Sequence, residues 1–241
     1  VRMPPSRITI NLSPADRYKS GTAFDLPSAI GLLVSMGILK QEKTADILFA
    51  GELGLNGELR PVRGILPIVR AAAQTGIGIC VVPEENGQEA AVTEGVTVYG
   101  ASHLSQVVSG LQEGMEAAGL SPIKAALGKT GADNAEGGCS AAGRQECGAS
   151  DMIPDFADIS GQETVRRAAE IAVAGCHHLL LIGPPGSGKT MIAERLPGIM
   201  PPLSPEESLE VSAIYSVSGR LPGGRLLETR PFLAPHHTAT G

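Results

Sequence analysis

The sequence predicts an α/β protein, and two observations support this prediction. In residues 1–112, short β-like runs alternate with helical stretches. Further along the chain, the apolar run 179–182 leads into a glycine-rich turn and then into residues of high helix propensity. A buried parallel strand followed by a turn and a helix has this pattern.

The elements of residues 1–112 follow from periodicity and turn residues. Residues 8–12 alternate with a period of two, which predicts a half-buried strand. Residues 25–39 carry apolar side chains at helical spacing, which predicts a buried helix. Residues 47–53 are predicted to form a strand, and Asn56-Gly57 is a strong hairpin signal. The remaining predictions are a helix over about 64–75 ended by Gly76, a strand over 79–83, a short helix over 84–94, a strand over 96–99 and a helix over 102–111.

Composition changes after residue 112. Glycine, alanine and small polar residues dominate residues 113–150, and such a segment buries too little apolar surface to offset its chain entropy. We therefore predict a flexible linker there. From residue 151 onward, the predicted elements are a helix over 162–174 ended by Gly175, the strand over 179–182, a helix capped by Ser204 and running to about Ser216, a glycine-rich turn over 219–224 and a strand near 226–232.

Composition also limits the function. The formal net charge is −6, which argues against a protein whose whole surface binds nucleic acid electrostatically. Aromatic residues make up 3% and tryptophan is absent, which argues against stacking on the bases of single strands. The sequence has no apolar run near the roughly 20 residues of a membrane span. The four cysteines are scattered without a C-x-x-C pair, so reduced thiols are favoured over disulfides or zinc. We expect a cytoplasmic protein without a membrane partner.

Residues 183–190, Gly-Pro-Pro-Gly-Ser-Gly-Lys-Thr, match the phosphate-binding pattern G-x-x-x-x-G-K-[ST]. Glycines let the backbone wrap around phosphate so that N–H groups point at the anion, and the following helix start adds partial positive charge. Lys189 is expected to reach the β- and γ-phosphates of ATP, and the Thr190 hydroxyl to ligate Mg²⁺. The sequence therefore predicts nucleoside-triphosphate binding. The predicted contacts are Gly183, Pro184, Pro185, Gly186, Ser187, Gly188, Lys189, Thr190 and Met191.

Two histidine pairs are also candidates for function. His177 and His178 are adjacent in a predicted strand entry, so their side chains point to opposite sides and a shared metal is disfavoured. His236 and His237 follow the last predicted strand. Nucleotide sensing and structural hydrogen bonding are both open for that second pair.

Three stretches together resemble one family. The first combines residues 7–16 (RITINLSPAD) with 23–27 (AFDLP), and the second is 51–64 (GELGLNGELRPVRG). The third runs from 158–162 (DISGQ) through the phosphate loop to 196–198 (LPG) and 230–238 (RPFLAPHHT). They resemble the ComM/YifB family of magnesium-chelatase-like AAA+ ATPases with a Lon-protease-like N-terminal domain.

The resemblance implies a domain organisation. Residues 1–112 would form a Lon-like α/β domain of the ribosomal-protein-S5 type, and 113–150 the linker. Residues 151–241 would form the first part of a P-loop AAA+ parallel-sheet domain of magnesium-chelatase type, with backbone contacts from Ile159 and Gly161 to the adenine base.

The resemblance also implies an ATPase that uses ATP and Mg²⁺ and assembles into a ring, a hexamer. DNA is the expected partner of the full-length protein. We expect segments missing at both ends, including a downstream acidic Mg²⁺-binding strand, sensor residues and an arginine finger. Hydrolysis is therefore expected of the full-length protein and not of these residues alone.

A Lon-like domain raises the question of peptidase activity. Lon proteases use a Ser–Lys dyad, in which the amine activates the hydroxyl. Aligning helix to helix places Asp25 at the Lon serine, and a shifted register places Ser28 there. The Lon lysine follows the Gly-Leu step after the hairpin, and here Gly64-Ile65 is followed by Leu66. Without an amine at 66, we predict an inactive domain that serves assembly or partner binding.

The leading functional hypothesis is a motor ATPase that remodels DNA by branch migration or helicase-like action. One alternative is a metal-chelatase motor subunit that inserts Mg²⁺ into a porphyrin, and the fused Lon-like domain argues against it. A second alternative, an ATP-regulated peptidase, is disfavoured by Leu66.

Overall fold

The computed structural model describes residues 8–10, 21–125, 154–233 and 235. Part of the predicted strand over 8–12, most of the linker, Cys139, Cys147, His236 and His237 lie outside the described residues. Contacts between Cα atoms divide the chain into two compact units. Of the described residues, the first unit holds 8–10, 21–125 and 213–225, and the second holds 154–212, 226–233 and 235.

The first unit contains a four-stranded sheet. Its strands are β1 (Ile47–Phe49), β4 (Ile79–Pro83), β5 (Thr97–Ala101) and β6 (Pro122–Ile123). The first three are parallel neighbours in this order, and β6 runs antiparallel beside β5. Two further strands, β2 (Glu52–Leu53) and β3 (Leu59–Arg60), form the predicted hairpin around Asn56-Gly57. A sheet dominated by parallel pairs confirms the α/β class.

Helices cover both faces of this sheet. They are α1 (Asp25–Ser35), α2 (Ile65–Gln74), α3 (Gly87–Ala91) and α4 (Leu104–Glu113). On β4, Val81 packs in a core cluster with side chains of α1 and α4, whereas Cys80 and Val82 pack in a second cluster with side chains of α2 and α3. This alternation is the period of two that a strand imposes. Burial raises the pKa of the Cys80 thiol to about 11.

The predicted strand over 47–53 is two strands, because the chain changes partners at Ala50 and Gly51. The Ala50 N–H donates to the carbonyl of Val81 in β4 at 3.2 Å. The Gly51 N–H donates instead to Ala23 at 3.1 Å, and the carbonyl of Gly51 accepts from Leu26 at 3.1 Å. The 3₁₀ turn at Thr22–Phe24 and the first turn of α1 thus take the hydrogen bonds that a continuous strand would need.

Two predicted helices of this unit are shorter than expected. Helix α1 ends at Ser35 and not at Leu39, because Gly37 has a φ of 72° in the left-handed region, which ends a helix. The predicted helix over 84–94 is a 3₁₀ turn at Glu84–Asn86 followed by α3. Gly76, with a φ of 85°, confirms the predicted end of α2.

Folded structure continues beyond residue 112, where composition placed the start of the linker. Leu120 is 4% exposed and belongs to the core cluster of α1 and α4. Ile123 pairs with Val98 of β5. Leu120, through the core, and Ile123, through the sheet, thus join this part of the predicted linker to the first unit.

The second unit contains α5 (Glu163–Ala174), α6 (Lys189–Arg195) and most of α7 (Pro205–Ser218), whose residues from 213 onward belong to the first unit. Its core cluster joins Phe156, Ile159, Ala169 and Ile192. None of the helices in the described part of the chain is long and apolar enough to cross a membrane.

The predicted strand over 179–182 is not part of a sheet in the described residues. Leu179 and Leu181 pack against the core cluster of the second unit, whereas Leu180 and Ile182 are 81% and 87% exposed. Packed and exposed side chains therefore alternate along this segment, as they do in a strand. No other described segment lies alongside to complete a ladder of hydrogen bonds, and a strand is defined by that ladder.

The predicted strand near 226–232 is also absent, because side chains of α7 take its hydrogen bonds. The Leu227 carbonyl accepts from Ser208 Oγ at 2.6 Å, and the Leu227 N–H donates to Ser212 Oγ at 2.9 Å. Ser208 and Ser212 lie four residues apart on one face of α7. Serine hydroxyls thus satisfy the backbone where a neighbouring strand would otherwise do so.

Ser204 caps α7 as the sequence predicted, and Glu207 completes a capping box with it. Ser204 Oγ accepts from the Glu207 N–H at 3.2 Å, and the Ser204 N–H donates to Glu207 Oε2 at 2.9 Å. Arg230 Nη2 donates to both carboxylate oxygens of Glu207, at 3.0 and 2.8 Å. The Ser204 N–H and the Arg230 guanidinium hold the pKa of Glu207 below its ordinary value.

The Glu207 network should make stability depend on pH. A folded-state pKa below the unfolded value, about 4.3 for glutamate, stabilises the fold above that pH. This contribution is lost as pH falls through the lower, folded pKa. We expect the melting temperature of the wild type to exceed that of Glu207→Gln at pH 6, and the difference to shrink between about pH 5 and pH 3. Glu163→Gln, at an exposed glutamate of α5, is the control, and a difference independent of pH would contradict the prediction.

Asn86 acts as a buried clamp in the first unit. It is 5% exposed. Its Oδ1 accepts from the Val62 N–H at 2.8 Å, and its Nδ2 donates to the Val62 carbonyl at 3.0 Å. The amide therefore satisfies both backbone groups of Val62, which lies in the loop before α2.

We expect Asn86→Ala to lower the free energy of unfolding by about 2–4 kcal/mol, because each buried backbone group left unpaired costs about 1–3 kcal/mol. Urea denaturation measures this change. Glu85→Ala, at the exposed neighbouring position, is the control and should change the free energy of unfolding by less than about 0.5 kcal/mol. Equal losses in the two variants, or a loss below about 0.5 kcal/mol in Asn86→Ala, would show that the two bonds contribute little.

Candidate phosphate-binding loop

The turn over 183–188 depends on two glycines. Gly186 and Gly188 have φ angles of 79° and 83°, in the left-handed region that side chains seldom adopt. The Ser187 N–H donates across the turn to the Pro184 carbonyl at 3.4 Å. A Cβ on Gly183 would lie 3.1 Å from Ser187 Oγ. Glycine at these positions therefore lets the backbone curl tightly.

Lys189 folds back over this turn. Its Nζ donates to the carbonyls of Gly183 at 2.9 Å and Pro184 at 2.6 Å, and to Ser187 Oγ at 3.1 Å. Bonds from a charged donor are stronger than those between neutral groups. The structure thus brings together the lysine and three of the predicted loop residues, with the ammonium group at the loop.

Helix α6 connects the loop to the core of the second unit. The Gly188 carbonyl accepts from the Ile192 N–H at 3.0 Å, and Ile192 is 1% exposed. Thr190 and Met191 are exposed on the first turn of α6, on the solvent side of the helix. Pro185 is exposed in the turn itself.

The segment predicted to contact adenine packs into the same core. Ile159 is 1% exposed and shares the cluster with Ile192. Asp155 caps the preceding 3₁₀ turn, with Oδ1 accepting from the Ala157 N–H at 2.9 Å. Gly161 has a φ of 72°. The backbone role of Ile159 and Gly161 at a base stays a prediction.

Sequence reasoning missed Gln162. Its Nε2 donates to the carbonyl of Ser187 in the loop at 3.0 Å. The residue stood inside the string DISGQ that carried the resemblance, but no periodicity or chemical pattern singles out a glutamine 25 positions before its partner.

The candidate peptidase residues of the first unit are engaged in structural contacts. Ser28 Oγ donates to the carbonyl of Phe24 at 2.6 Å, and Asp25 Oδ2 accepts from the Leu53 N–H at 3.5 Å. Leu66 is 1% exposed, and its N–H donates to Glu89 Oε1 at 3.3 Å. Ser28 and Asp25 therefore support the start of α1, and Leu66 is a core residue of α2.

His177 and His178 are both exposed. Within the described ranges, no group of three or more His, Cys, Asp or Glu side chains could hold a metal ion.

Two family models match the chain. Residues 155–241 match the model described as magnesium chelatase, subunit ChlI, and residues 1–86 match subunit ChlI of Mg-chelatase. Over 239 residues, the chain is 36% identical to competence protein ComM of Haemophilus influenzae, which covers 99% of the chain and 43% of ComM. The chain belongs to the ComM/YifB family of magnesium-chelatase-like proteins.

Two further family relatives match over nearly the whole chain. An uncharacterised protein of Mycobacterium tuberculosis is 42% identical over 238 residues, 98% of the chain and 43% of that protein. The uncharacterised protein YifB of Escherichia coli is 37% identical over 237 residues, 98% of the chain and 42% of YifB. The chain thus spans less than half the length of these relatives.

Lon protease 2 of Bacillus subtilis is 32% identical over 89 residues, 33% of this chain and 16% of the protease. This similarity supports the sequence resemblance to Lon.

Proposed function

We propose that this ComM/YifB-family protein binds ATP through the loop 183–190 and is an AAA+ ATPase. The observation that carries the proposal is the position of Lys189, whose ammonium contacts three groups of the glycine-rich turn. Lysine at this point of such a loop contacts the β- and γ-phosphates in P-loop enzymes.

The residues present fit a triphosphate. The left-handed glycines at 186 and 188 let the backbone curl around an anion, and Lys189 supplies a positive charge. Thr190 is exposed beside the lysine, and its hydroxyl is a hard oxygen of the kind that Mg²⁺ prefers. When bound, Mg²⁺ would neutralise charge that develops on the phosphates. We further propose backbone contacts from Ile159 and Gly161 to the base.

For the whole protein we propose an oligomeric ring, a hexamer, that remodels DNA by branch migration or helicase-like action. One relative is named a competence protein, which supports a role on DNA. For these 241 residues, the net charge of −6 favours contact with phosphates through local surfaces only. In this proposal residues 1–112 form a Lon-like domain, and residues 151–241, most of which match the magnesium-chelatase model, form the start of an AAA+ domain. ATP hydrolysis by the purified full-length protein, stimulated by branched DNA, tests this proposal.

The similarity to Lon protease 2 favours one second candidate, an ATP-regulated peptidase. The side chains argue against it. A Ser–Lys dyad needs an amine that accepts the serine proton, and the buried aliphatic Leu66 cannot do so. The Ser28 hydroxyl is bonded to the Phe24 carbonyl. We therefore propose that the Lon-like part is not a peptidase and serves assembly or partner binding.

Lys189→Ala should remove nucleotide binding. Hydrogen bonds to a charged group contribute about 1.5–3 kcal/mol, so we expect the affinity for ATP to fall by at least about tenfold. Isothermal titration of the full-length protein measures it. Arg167→Ala, which removes an exposed cation paired with Glu170 on α5, is the matched control and should bind like the wild type. Equal affinities of Lys189→Ala and the wild type would exclude this loop as the site.

The full-length protein should not hydrolyse casein or a peptide mixture, with or without ATP. The physical reason is the absence of a general base at position 66. Ser28→Ala should give the same background and should bind ATP normally. Hydrolysis by the wild type that disappears in Ser28→Ala would establish a peptidase and refute the prediction.

A further inference from the structure

Gln162 has a backbone conformation that glutamine seldom adopts. Its φ and ψ angles are 52° and 42°, in the left-handed region where Cβ crowds the backbone. Apart from glycines, only Cys176 shares a positive φ within the described ranges. Such conformations persist where the surroundings over-determine them.

The side chain of Gln162 makes no hydrogen bond to its own helix that would offset the cost of this backbone conformation. Gln162 is the N-cap of α5, a position where short polar side chains bond to the first turn, yet it makes no side-chain cap hydrogen bond. Its Nε2 reaches the phosphate loop instead and donates to the Ser187 carbonyl at 3.0 Å. The same nitrogen lies 3.9 Å from where a Cβ on Gly188 would stand.

This contact holds one particular peptide plane. Because a trans peptide is planar, the carbonyl of Ser187 and the N–H of Gly188 point in opposite directions. A donor that fixes the carbonyl on one side therefore fixes the N–H on the other. In glycine-rich loops, successive N–H groups form the cavity that binds an anion.

The contact also links two parts of the second unit that share a core. The segment before Gln162 is anchored by the buried Ile159, and the helix after the loop by the buried Ile192 of the same cluster. The hydrogen bond from Gln162 to Ser187 joins the N-terminus of α5 directly to the backbone of the loop.

We propose that Gln162 is a positioning residue of the nucleotide site, which ties residues 158–162 to the loop and orients the Ser187–Gly188 peptide for phosphate binding. This inference rests on the nucleotide-binding function proposed above. Gln162 acts through the loop and touches no reacting atom. Its loss should therefore weaken binding of the phosphates and spare binding of the base.

Two substitutions in the full-length protein test the role. Gln162→Asn tolerates the left-handed conformation, but its amide is one methylene too short to reach Ser187. Gln162→Met keeps the length and lacks the N–H. Thr164→Ala, at an exposed neighbour on α5, is the control. The measurements are the affinities for ATP and adenosine, by competition with a fluorescent ATP analogue, and hydrogen exchange of the peptide 183–190 without nucleotide.

We expect both Gln162 variants to bind ATP about five- to tenfold more weakly, as the loss of one hydrogen bond implies, with the affinity for adenosine unchanged. Exchange of the loop amides should be about threefold faster or more in both. Thr164→Ala should match the wild type. A general structural defect would instead weaken ATP and adenosine together.

Wild-type ATP affinity in both variants, while Lys189→Ala loses binding, would overturn the positioning role and leave the proposed function standing. Weaker binding in Gln162→Met alone would also overturn it, since neither variant donates to Ser187. Absence of ATP binding by the wild type would overturn the proposed function itself, and the positioning role with it.

Discussion

Burial of Ile192 is the constraint on which the candidate site depends. This side chain lies one turn into α6 and packs with Phe156, Ile159 and Ala169. Full burial of an isoleucine contributes about 1.5–3 kcal/mol, which fixes where α6 begins. The Gly188 carbonyl is bonded to the Ile192 N–H, so the end of the loop is fixed with it. Lys189, one residue later, can then fold back onto the turn.

The parts of the structure that the sequence predicted are those decided by local chemistry. The hairpin follows from Asn56-Gly57, the cap of α7 from Ser204, and the end of α2 from Gly76. Each depends on backbone preferences within a few residues. The loop was found because its glycines and lysine must lie close together in sequence.

The strand predictions that were wrong concern partners that lie far away in sequence. A strand needs another strand, and the apolar pattern of 179–182 contains no information about which segment lies beside it. Residues near 227 bond to serines of α7 and not to a strand. The contact from Gln162 to Ser187 has the same character. Composition and periodicity describe one segment at a time, and these hydrogen bonds join two.

In the first unit, packing of the core limits the chemistry that is possible at position 66. Position 66 lies at the start of α2, where its side chain is in the core of the unit. A lysine amine there would have to be desolvated, which costs several kcal/mol unless a charged partner compensates. A leucine side chain can be buried at this position without a charged partner. The carboxylate of Glu89 meanwhile bonds to the Leu66 N–H, which satisfies a backbone group of the first turn of α2. Both groups thus stabilise the helix at the position where a Ser–Lys dyad would require a base, and this supports the proposal that the Lon-like part serves assembly or partner binding.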